Sequence, residues 1–333
     1  MTRPARSRFL HVANGSCTTR LIDAAGIPGT LSIWADPLYD GPVPGGLTDS
    51  ELIDVRARHL AAPTDASADP VNDMRQWRAV IDDHESYDEL VLWFEHDLFD
   101  QLNLMQLLTW SRTRLPAATP VSLVCVGSFP GRPRFMGLGQ LTPEELASLL
   151  DTRQPISDAQ YELADVAWQA FRAPTPEALN QVRLGDTAAL PYLAAAITRF
   201  LQEYPWTTDG LSRTERRLLE LSAAGAVELS AAFPRMHDDE EAYYVTDTSI
   251  AELANALSHA LPPLLTLAPG TVVGKGWLRG AMTITDTGRA VLAGRRDKIE
   301  ACGIDRWLGG VHLQGDAPSW RWDDARQRIT RQQ

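Results

Sequence analysis

Three ionisable residues, Glu95, His96 and Asp97, follow directly on the apolar run at 91–94. The run predicts a buried strand, and apolar residues at helical spacing after residue 97 predict a helix. A histidine between two carboxyl groups binds its proton more tightly, which suits general acid–base catalysis. The alternative is a salt-bridged turn in which Asp97 is the N-cap of the helix. Glu95 and His96 are therefore the candidate catalytic residues, and Asp97 is the predicted N-cap.

The elements that must position these residues form a predicted α/β fold. Strands without polar alternation, separated by helical segments, are typical of a parallel sheet that is covered on both faces. The fold class expected is a small, mainly parallel, doubly wound sheet followed by a helical, winged-helix-like C-terminal region. Ligands of such sheets bind outside the carboxyl ends of the strands, near the point where strand order reverses. The predicted strands lie near residues 8–13, 30–34, 90–95 and 121–127.

Two further loops at strand ends carry candidate cofactor-binding residues. Asn14, Gly15 and Ser16 open a predicted helix, whose N-terminus would suit a phosphate or carboxylate. This turn lacks the later glycines of a dinucleotide fingerprint and the lysine of a P-loop, and the alternative is a tight turn with Ser16 as N-cap. Asp36 closes the second strand, where dinucleotide sites place a ribose-binding carboxylate. Its alternative is an ordinary Asp-Pro turn.

The loop after the fourth strand supplies Ser128, Arg132 and Arg134. Arginines on such a loop could bind an anion bidentately, and the alternative is a loop that is ion-paired to its neighbours. We expect Ser16, Asp36, Glu95, His96 and Ser128 or Arg132 to line one cleft. The expected ligand is small and anionic or nucleotide-like, and the sequence identifies no cofactor.

No metal site is expected, because the other histidines show no ligand spacing. Net charge is -12 and the cysteines number 3. Widely spaced cysteines argue against a disulfide framework and favour a reducing compartment. No apolar run approaches the ~20 residues that span a bilayer, and the N-terminus lacks the apolar core of a signal peptide. We therefore expect a cytoplasmic protein without a membrane partner.

The predicted organisation has three segments. Residues 1–140 form the α/β ligand-binding domain, 141–204 a helical linker region, and 205–333 a winged-helix-like domain that ends in a Trp-rich hairpin. Basic clusters such as "RTERR" and "GRAVLAGRRDK" are offset by the nearby acidic "HDDEE". Strong DNA binding is therefore not expected, and a protein partner is the open alternative for this domain.

Several stretches together resemble a bacterial family that is known only as domain of unknown function eighteen thirty-five. They include "HVANGS", "IWADPLYDGPVP", "LVLWFEHDLFDQLNL", "GLSRTERRLLEL", "MTITDTGRAVLAG" and "DRWLGGVHLQG". The resemblance covers most of the chain, except that the family often shows Gly-Asp where this chain has Gly15-Ser16. It implies the architecture described above and no activity.

The sequence leaves two functions open. The first is a small-molecule cleft at the strand ends of the N-terminal domain, with or without catalysis. The alternative is a metabolite-sensing regulator whose winged-helix-like part binds DNA or a protein. A continuous basic stripe on the C-terminal domain would favour the regulator.

Overall fold

The structure is a computed structural model that describes residues 8–61, 69–238, 240–269, 272–274 and 277–332. Asp239 of the acidic stretch "HDDEE" and the basic residue Lys275 lie outside the described residues. The strands are β1 (Phe9–Ala13), β2 (Thr30–Ile33), β3 (Gly41–Pro42), β4 (Glu89–Glu95), β5 (Val121–Val126), β6 (Gln154–Pro155), β7 (Val227–Glu228), β8 (Leu265–Leu267), β9 (Val272–Gly274), β10 (Trp277–Arg279), β11 (Ala281–Ile284), β12 (Ile304–Gly309), β13 (Val311–Gly315), β14 (Trp320–Asp323) and β15 (Arg328–Arg331).

The helices begin and end mostly at side-chain caps or at breaks in the apolar pattern. They are α1 (Ser16–Ala24), α2 (Asp49–Leu60), α3 (Pro70–Asp82), α4 (Leu98–Arg114), α5 (Pro143–Leu149), α6 (Asp158–Phe171), α7 (Glu177–Leu184), α8 (Leu193–Leu201), α9 (Arg213–Ala223), α10 (Leu229–Met236), α11 (Asp247–His259), α12 (Asp286–Leu292) and α13 (Lys298–Cys302). Short 3₁₀ helices lie at His84–Ser86, Leu138–Gln140 and Leu150–Thr152.

The four predicted strands form one sheet, as expected. The strand order is β2-β1-β4-β5-β6, in which the first four strands are parallel and β6 is antiparallel. The chain leaves β1 toward β2 on one side, and β4 lies on the other side. The order therefore reverses between β1 and β4, and the carboxyl ends of these two strands flank the position where open α/β sheets bind ligands.

Alternate residues of the central strand supply two separate apolar cores. Leu92 and Phe94 of β4 pack into the larger cluster, whereas Val91 and Trp93 pack into the smaller one with α1 and α5 residues. Because neighbouring side chains of a strand point to opposite faces, the two clusters lie on opposite sides of the sheet. This explains why the strand is apolar at every position of the run 91–94, as the sequence predicted.

Helix α4 is the central helix of the larger cluster. Most of its residues are buried, and Asp97 caps it by accepting from Asp100 N at 2.8 Å, which confirms the predicted N-cap. Its buried polar residues fix the loop that follows β2. Asn103 Oδ1 accepts a hydrogen bond from Asp36 N at 2.9 Å, and Asn103 Nδ2 donates one to Asp36 O at 2.8 Å. Asp36 is thereby held at the edge of the sheet by a helix more than sixty residues further along the chain.

The C-terminal part combines helices with a small antiparallel sheet. Helices α9, α10 and α11 surround three strands in the order β7-β11-β8, and β9 and β10 form a hairpin between β8 and β11 in the chain. The tail forms two hairpins, β12 with β13 and β14 with β15. Strand β12 also pairs in parallel with β3 of the N-terminal segment.

One apolar cluster contains residues from all three segments that the sequence predicted. It includes Leu10 of β1, Phe171 of α6, Leu218 of α9 and Trp322 of β14. The segments therefore pack against one another through a shared core. Among the described residues, no helix combines the length and apolarity needed to cross a bilayer.

The ion pair between Arg56 and Asp36 provides a test of this packing. The side chains are 1% and 4% exposed, and the Nη2–Oδ1 distance is 2.7 Å. We expect Arg56→Ala to lower the free energy of unfolding by about 3–5 kcal/mol, because it leaves a buried carboxylate without its cation. Urea denaturation of the full chain measures this change.

The exposed pair of Arg75 and Asp54 is the matched control, with side chains 57% and 53% exposed. Arg75→Ala should cost less than about 1 kcal/mol, since solvent screens such pairs. Equal losses for the two variants would contradict the assignment of Asp36 to a buried structural pair.

Candidate functional site

A hydrogen-bond network of Asn14, Glu95 and Asp100 lies at the carboxyl ends of β1 and β4. Asn14 Nδ2 donates to Glu95 Oε1 at 3.1 Å and to both carboxylate oxygens of Asp100 at 3.1 and 3.0 Å. Thr18 Oγ1 donates to Asn14 Oδ1 at 2.6 Å, which fixes the amide with its NH₂ group toward the two acids. The turn after β1 and the start of α4 are thereby joined at the point where strand order reverses.

Three carboxyl groups are buried at this point without a cation. Among the described residues, Glu95, Asp97 and Asp100 form no ion pair with Lys, Arg or His. Burial raises the pKa of Glu95. Burial and the neighbouring Glu95 raise the pKa of Asp97 to about 8. Burial, Asp97 and Glu95 raise the pKa of Asp100 well above its usual range. Carboxyl groups in such surroundings retain protons near neutral pH.

A glycine allows the chain to approach Glu95 closely. Leu138 N donates to Glu95 Oε1 at 2.7 Å. Gly137 has φ +139°, and a Cβ atom at this position would lie 2.0 Å from Glu95 Oε2. Only glycine adopts this backbone conformation readily and leaves space for the carboxylate. The loop after β5 is therefore shaped around Glu95.

A cavity of about 340 Å³ lies beside this network, at the carboxyl ends of β4 and β5. Three parts of the chain enclose it: the strand ends with the loop after β5, the start of α8, and the loop at 240–243. Its lining residues are His96, Gly127, Pro133, Arg134, Phe135, Met136, Tyr192, Ala195, Glu240, Glu241, Ala242 and Tyr243. Pockets for small ligands have this mixture of aromatic walls and few polar groups.

His96 contributes an aromatic ring to this cavity. Its centroid lies 6.2 Å from that of Phe135, in a stacked arrangement, and 6.0 Å from that of Tyr192, edge to face. Its Nδ1 atom is buried and has no hydrogen-bond partner among the described residues. Burial lowers the pKa of His96, so the ring is neutral near pH 7. The earlier expectation of a tightly held proton on His96 is therefore wrong, because desolvation outweighs the backbone groups of Val126 and Glu241 and the Glu241 carboxylate, which raise the pKa.

The opposite wall of the cavity is held by Glu240. This carboxylate accepts from Arg199 Nε at 2.9 Å and from Arg213 Nε at 2.7 Å. Tyr243, which follows shortly after, also lines the cavity. Burial, followed by the carboxyl groups of Asp97, Glu95 and Asp100, raises the pKa of Tyr243 far above its usual range. The phenol is thus neutral and faces the acidic network.

The arginines that were expected to bind an anion have partners within the chain. Arg132 Nη2 lies 2.6 Å from Glu145 Oε2. Arg134 Nη1 lies 3.3 Å from Asp238 Oδ1, and its other terminal nitrogen donates to the carbonyl of His237. Arg134 lines the cavity and Arg132 does not. The loop is ion-paired to its neighbours, which is the alternative that the sequence left open.

The remaining candidate residues lie outside the lining of the cavity. Asp36 accepts from Arg56, with Nε–Oδ1 at 3.0 Å. Ser16 is exposed and is the first residue of α1, so its prediction as N-cap is wrong; Gly15 occupies the cap position without a side-chain hydrogen bond. The chain is extended at Gly15 (φ 165°), and the helix starts at Ser16, one residue earlier than a cap at Ser16 would imply. Ser128 is exposed.

Sequence reasoning missed Asp100, Tyr192, Tyr243 and Glu241. The Asp97-x-x-Asp100 spacing at a helix start was visible, yet it indicated only a cap. No local pattern marks the two tyrosines, because they reach the cavity from segments that are distant in sequence. In the part of the chain that the structure describes, no group of three or more His, Cys, Asp or Glu residues has the arrangement of a metal site.

Comparison with known proteins adds no relative. A scan of the chain against protein-family models gives no match, and a search of curated proteins gives none either. The chemistry of the site must therefore be argued from its own geometry. The arrangement supplies an aromatic cavity, an unpaired imidazole nitrogen, and protonated carboxyl groups just behind one wall.

Asp97 should make stability depend on pH. A carboxyl group whose pKa is raised by folding binds its proton in the folded chain at pH values where the unfolded chain has lost it. Its contribution to the free energy of unfolding therefore falls as pH rises, here between the ordinary pKa of 3.8 and about 8. Asp97→Asn keeps the capping oxygen and removes the charge, so we expect a smaller fall than in the wild type when urea denaturation is compared at about pH 5 and about pH 8.

Asp158→Asn, at an exposed helix start, is the control and should leave the wild-type pH dependence unchanged. Identical pH dependence for wild type and Asp97→Asn would show that Asp97 titrates alike in the folded and unfolded chain.

Proposed function

We propose that this chain binds a small molecule in the cavity formed by His96, Phe135, Tyr192 and Tyr243. The observation that carries the proposal is a cavity of about 340 Å³ that is lined by several aromatic side chains at the carboxyl ends of parallel strands. This volume is at the lower end of the range for small-ligand pockets. The position agrees with the general location of ligands in open α/β sheets.

His96 and Glu95 have different roles in this proposal. His96 lines the cavity, and its ring stacks on Phe135 and lies edge to face with Tyr192, so it gives a ligand an aromatic wall. Glu95 does not line the cavity; it supports the loop that carries Phe135 through its bond to Leu138 N. The protonated carboxyl groups lie behind the wall, so the geometry favours binding over turnover. A nucleotide-like ligand stays an alternative, since a base can stack on these rings.

We also propose a winged-helix arrangement for the C-terminal part. The order α9-β7-α10-α11-β8-β11, with the sheet order β7-β11-β8, supports it. In DNA readers of this type, α11 would be the helix that enters the groove. Helix α11 contains no Lys or Arg, and it carries Asp247 and Glu252. Its charge therefore favours contact with protein.

The loop after β2 packs beside this helix. The rings of Tyr39 and Tyr244 are 4.4 Å apart, immediately before α11. Burial and the nearby Asp40 carboxylate raise the pKa of Glu252, which indicates that the same loop approaches the helix. We infer that the winged-helix part serves within the chain, as a wall for the N-terminal domain.

Membership of the family of unknown function eighteen thirty-five, and a cytoplasmic location, stay part of this proposal. The first rests on the stretches quoted above and the second on the spacing of the three cysteines.

His96→Ala tests the proposed cavity. Removing the ring deletes one wall of the cavity, so we expect ligand affinity to fall at least about tenfold, which corresponds to about 1.4 kcal/mol. The measurement is a thermal-shift screen of the full chain with nucleotides, amines, organic acids and sugars, followed by calorimetric titration of the compounds that stabilise it.

His84→Ala is the matched control, because His84 lies in a 3₁₀ helix outside the cavity lining. It should bind as the wild type does. If every stabilising compound shifts wild type and His96→Ala equally, the cavity is not the binding site and the proposal fails.

The C-terminal part should not bind DNA strongly. We expect no shift of duplex DNA by the full chain at about 1 μM and physiological salt, whereas specific readers bind at about 10⁻⁸ M or tighter. An electrophoretic mobility assay with mixed-sequence duplexes measures this. A salt-dependent shift at nanomolar protein would contradict the placement of α11 against the N-terminal domain.

A further inference from the structure

We infer that the cavity takes a small organic cation, with a quaternary or tertiary ammonium group enclosed by its aromatic side chains. This inference rests on the function proposed above and specifies the class of ligand. It differs from the anionic ligand expected from the sequence, and the arrangement of charges around the cavity is the reason.

The walls of the cavity have the composition of a cation-binding site. Four aromatic side chains, His96, Phe135, Tyr192 and Tyr243, enclose the space from three separate parts of the chain. The centroid of the His96 ring lies 6.2 Å from that of Phe135 and 6.0 Å from that of Tyr192. The faces of aromatic rings carry negative electrostatic potential, and enclosures of this kind bind ammonium groups. A neutral His96 does not repel such a ligand.

The charged side chains around the cavity also favour a cation. Arg134 is the basic residue of the lining, and Asp238 and the carbonyl of His237 already engage its guanidinium. The negative charge of Glu240 is compensated by its ion pairs with Arg199 and Arg213. Glu241 is exposed, and it forms no ion pair within the described residues. The lining thus contains a carboxylate that has no cationic partner among the described residues.

Three buried carboxyl groups that can titrate lie behind the wall of the cavity. Glu95, Asp97 and Asp100 are 6%, 8% and 0% exposed, and the groups that donate hydrogen bonds to them are the side-chain amide of Asn14 and backbone N–H groups. Because burial raises the pKa of all three groups, they retain protons near neutral pH. A cation would lower the pKa of the acids and release protons from them.

A metal ion is a poorer occupant than an organic cation. Hard metal ions need several oxygen ligands that converge on one point. The described residues contain no such group, and the surface facing the cavity is mostly aromatic and aliphatic. An ammonium group with carbon substituents matches both the aromatic walls and the negative potential.

The experiment compares choline with its neutral isostere 3,3-dimethylbutan-1-ol in calorimetric titrations of the full chain. The two molecules have the same shape and differ in the charged nitrogen. We expect choline, or the bulkier benzyltrimethylammonium, to bind at least about tenfold tighter than its neutral carbon analogue. Titration of the cation in two buffers of different ionisation enthalpy should also show proton release near pH 7.

Variants locate the binding in the cavity. Tyr243→Leu removes a ring face and should weaken cation binding at least about fivefold, whereas Tyr243→Phe keeps the ring and should bind within about twofold of wild type. If Tyr243→Leu does not fold, Glu241→Gln gives the same information from an exposed position. It should weaken cation binding by about threefold and leave the neutral isostere unaffected.

The outcomes separate the two proposals. Equal binding of cation and isostere, or no saturable binding of either cation up to about 10 mM, overturns the inference of a cationic ligand. If AMP or inorganic phosphate binds instead and His96→Ala abolishes that binding, the cavity is a ligand site of the opposite charge. In that case the proposed function stands and the inference about its ligand falls.

Discussion

The burial of three carboxyl groups without a basic partner is the constraint on which the carboxyl edge of the sheet depends. Such groups must be protonated or bound by many hydrogen-bond donors. Asn14 supplies its NH₂ group to two of them, and the backbone of Leu138 supplies an N–H to Glu95. These bonds converge from the turn after β1, the start of α4 and the loop after β5. The edge that supports His96 is therefore fixed by the acids beside it.

The facing wall of the cavity depends on a second buried network, in which opposite charges are paired. Arg199 Nη1 lies 2.6 Å from Glu203 Oε1, and the side chains are 5% and 1% exposed. Burial alone would raise the pKa of Glu203, but Arg199 and Arg306 lower it to about 2. Arg199 also binds Glu240, so the loop that carries Tyr243 is attached to α8. Tyr192 immediately precedes this helix, and both tyrosines are thus held by one network.

Signals local in sequence predicted the parallel sheet, the helix at Leu98 and its cap, because backbone periodicity and capping act over a few residues. The cavity could not be predicted in this way. Arg134 forms an ion pair with Asp238, which is 104 residues away in the chain. Whether two such distant residues meet depends on how complete segments pack. The same is true of Tyr192 and Tyr243. The charge of a site depends on these distant pairings, which is why two arginines on a loop indicated an anion although both are paired with acids of the chain in the structure.

The construction of the cavity from three parts of the chain links ligand binding to packing. A molecule that contacts Phe135, Tyr192 and Tyr243 at once touches the loop after β5, the start of α8 and the loop before α11. It therefore stabilises the arrangement in which these parts are together over any arrangement in which they separate. The linkage is reciprocal, so whatever tightens the contact between α11 and the loop after β2 should also increase affinity for the ligand. Tyr39 and Tyr244 lie at that contact, and Tyr244 directly follows Tyr243, which lines the cavity. The sensing role that the sequence left open would thus operate through packing within the chain, with no need for a DNA surface.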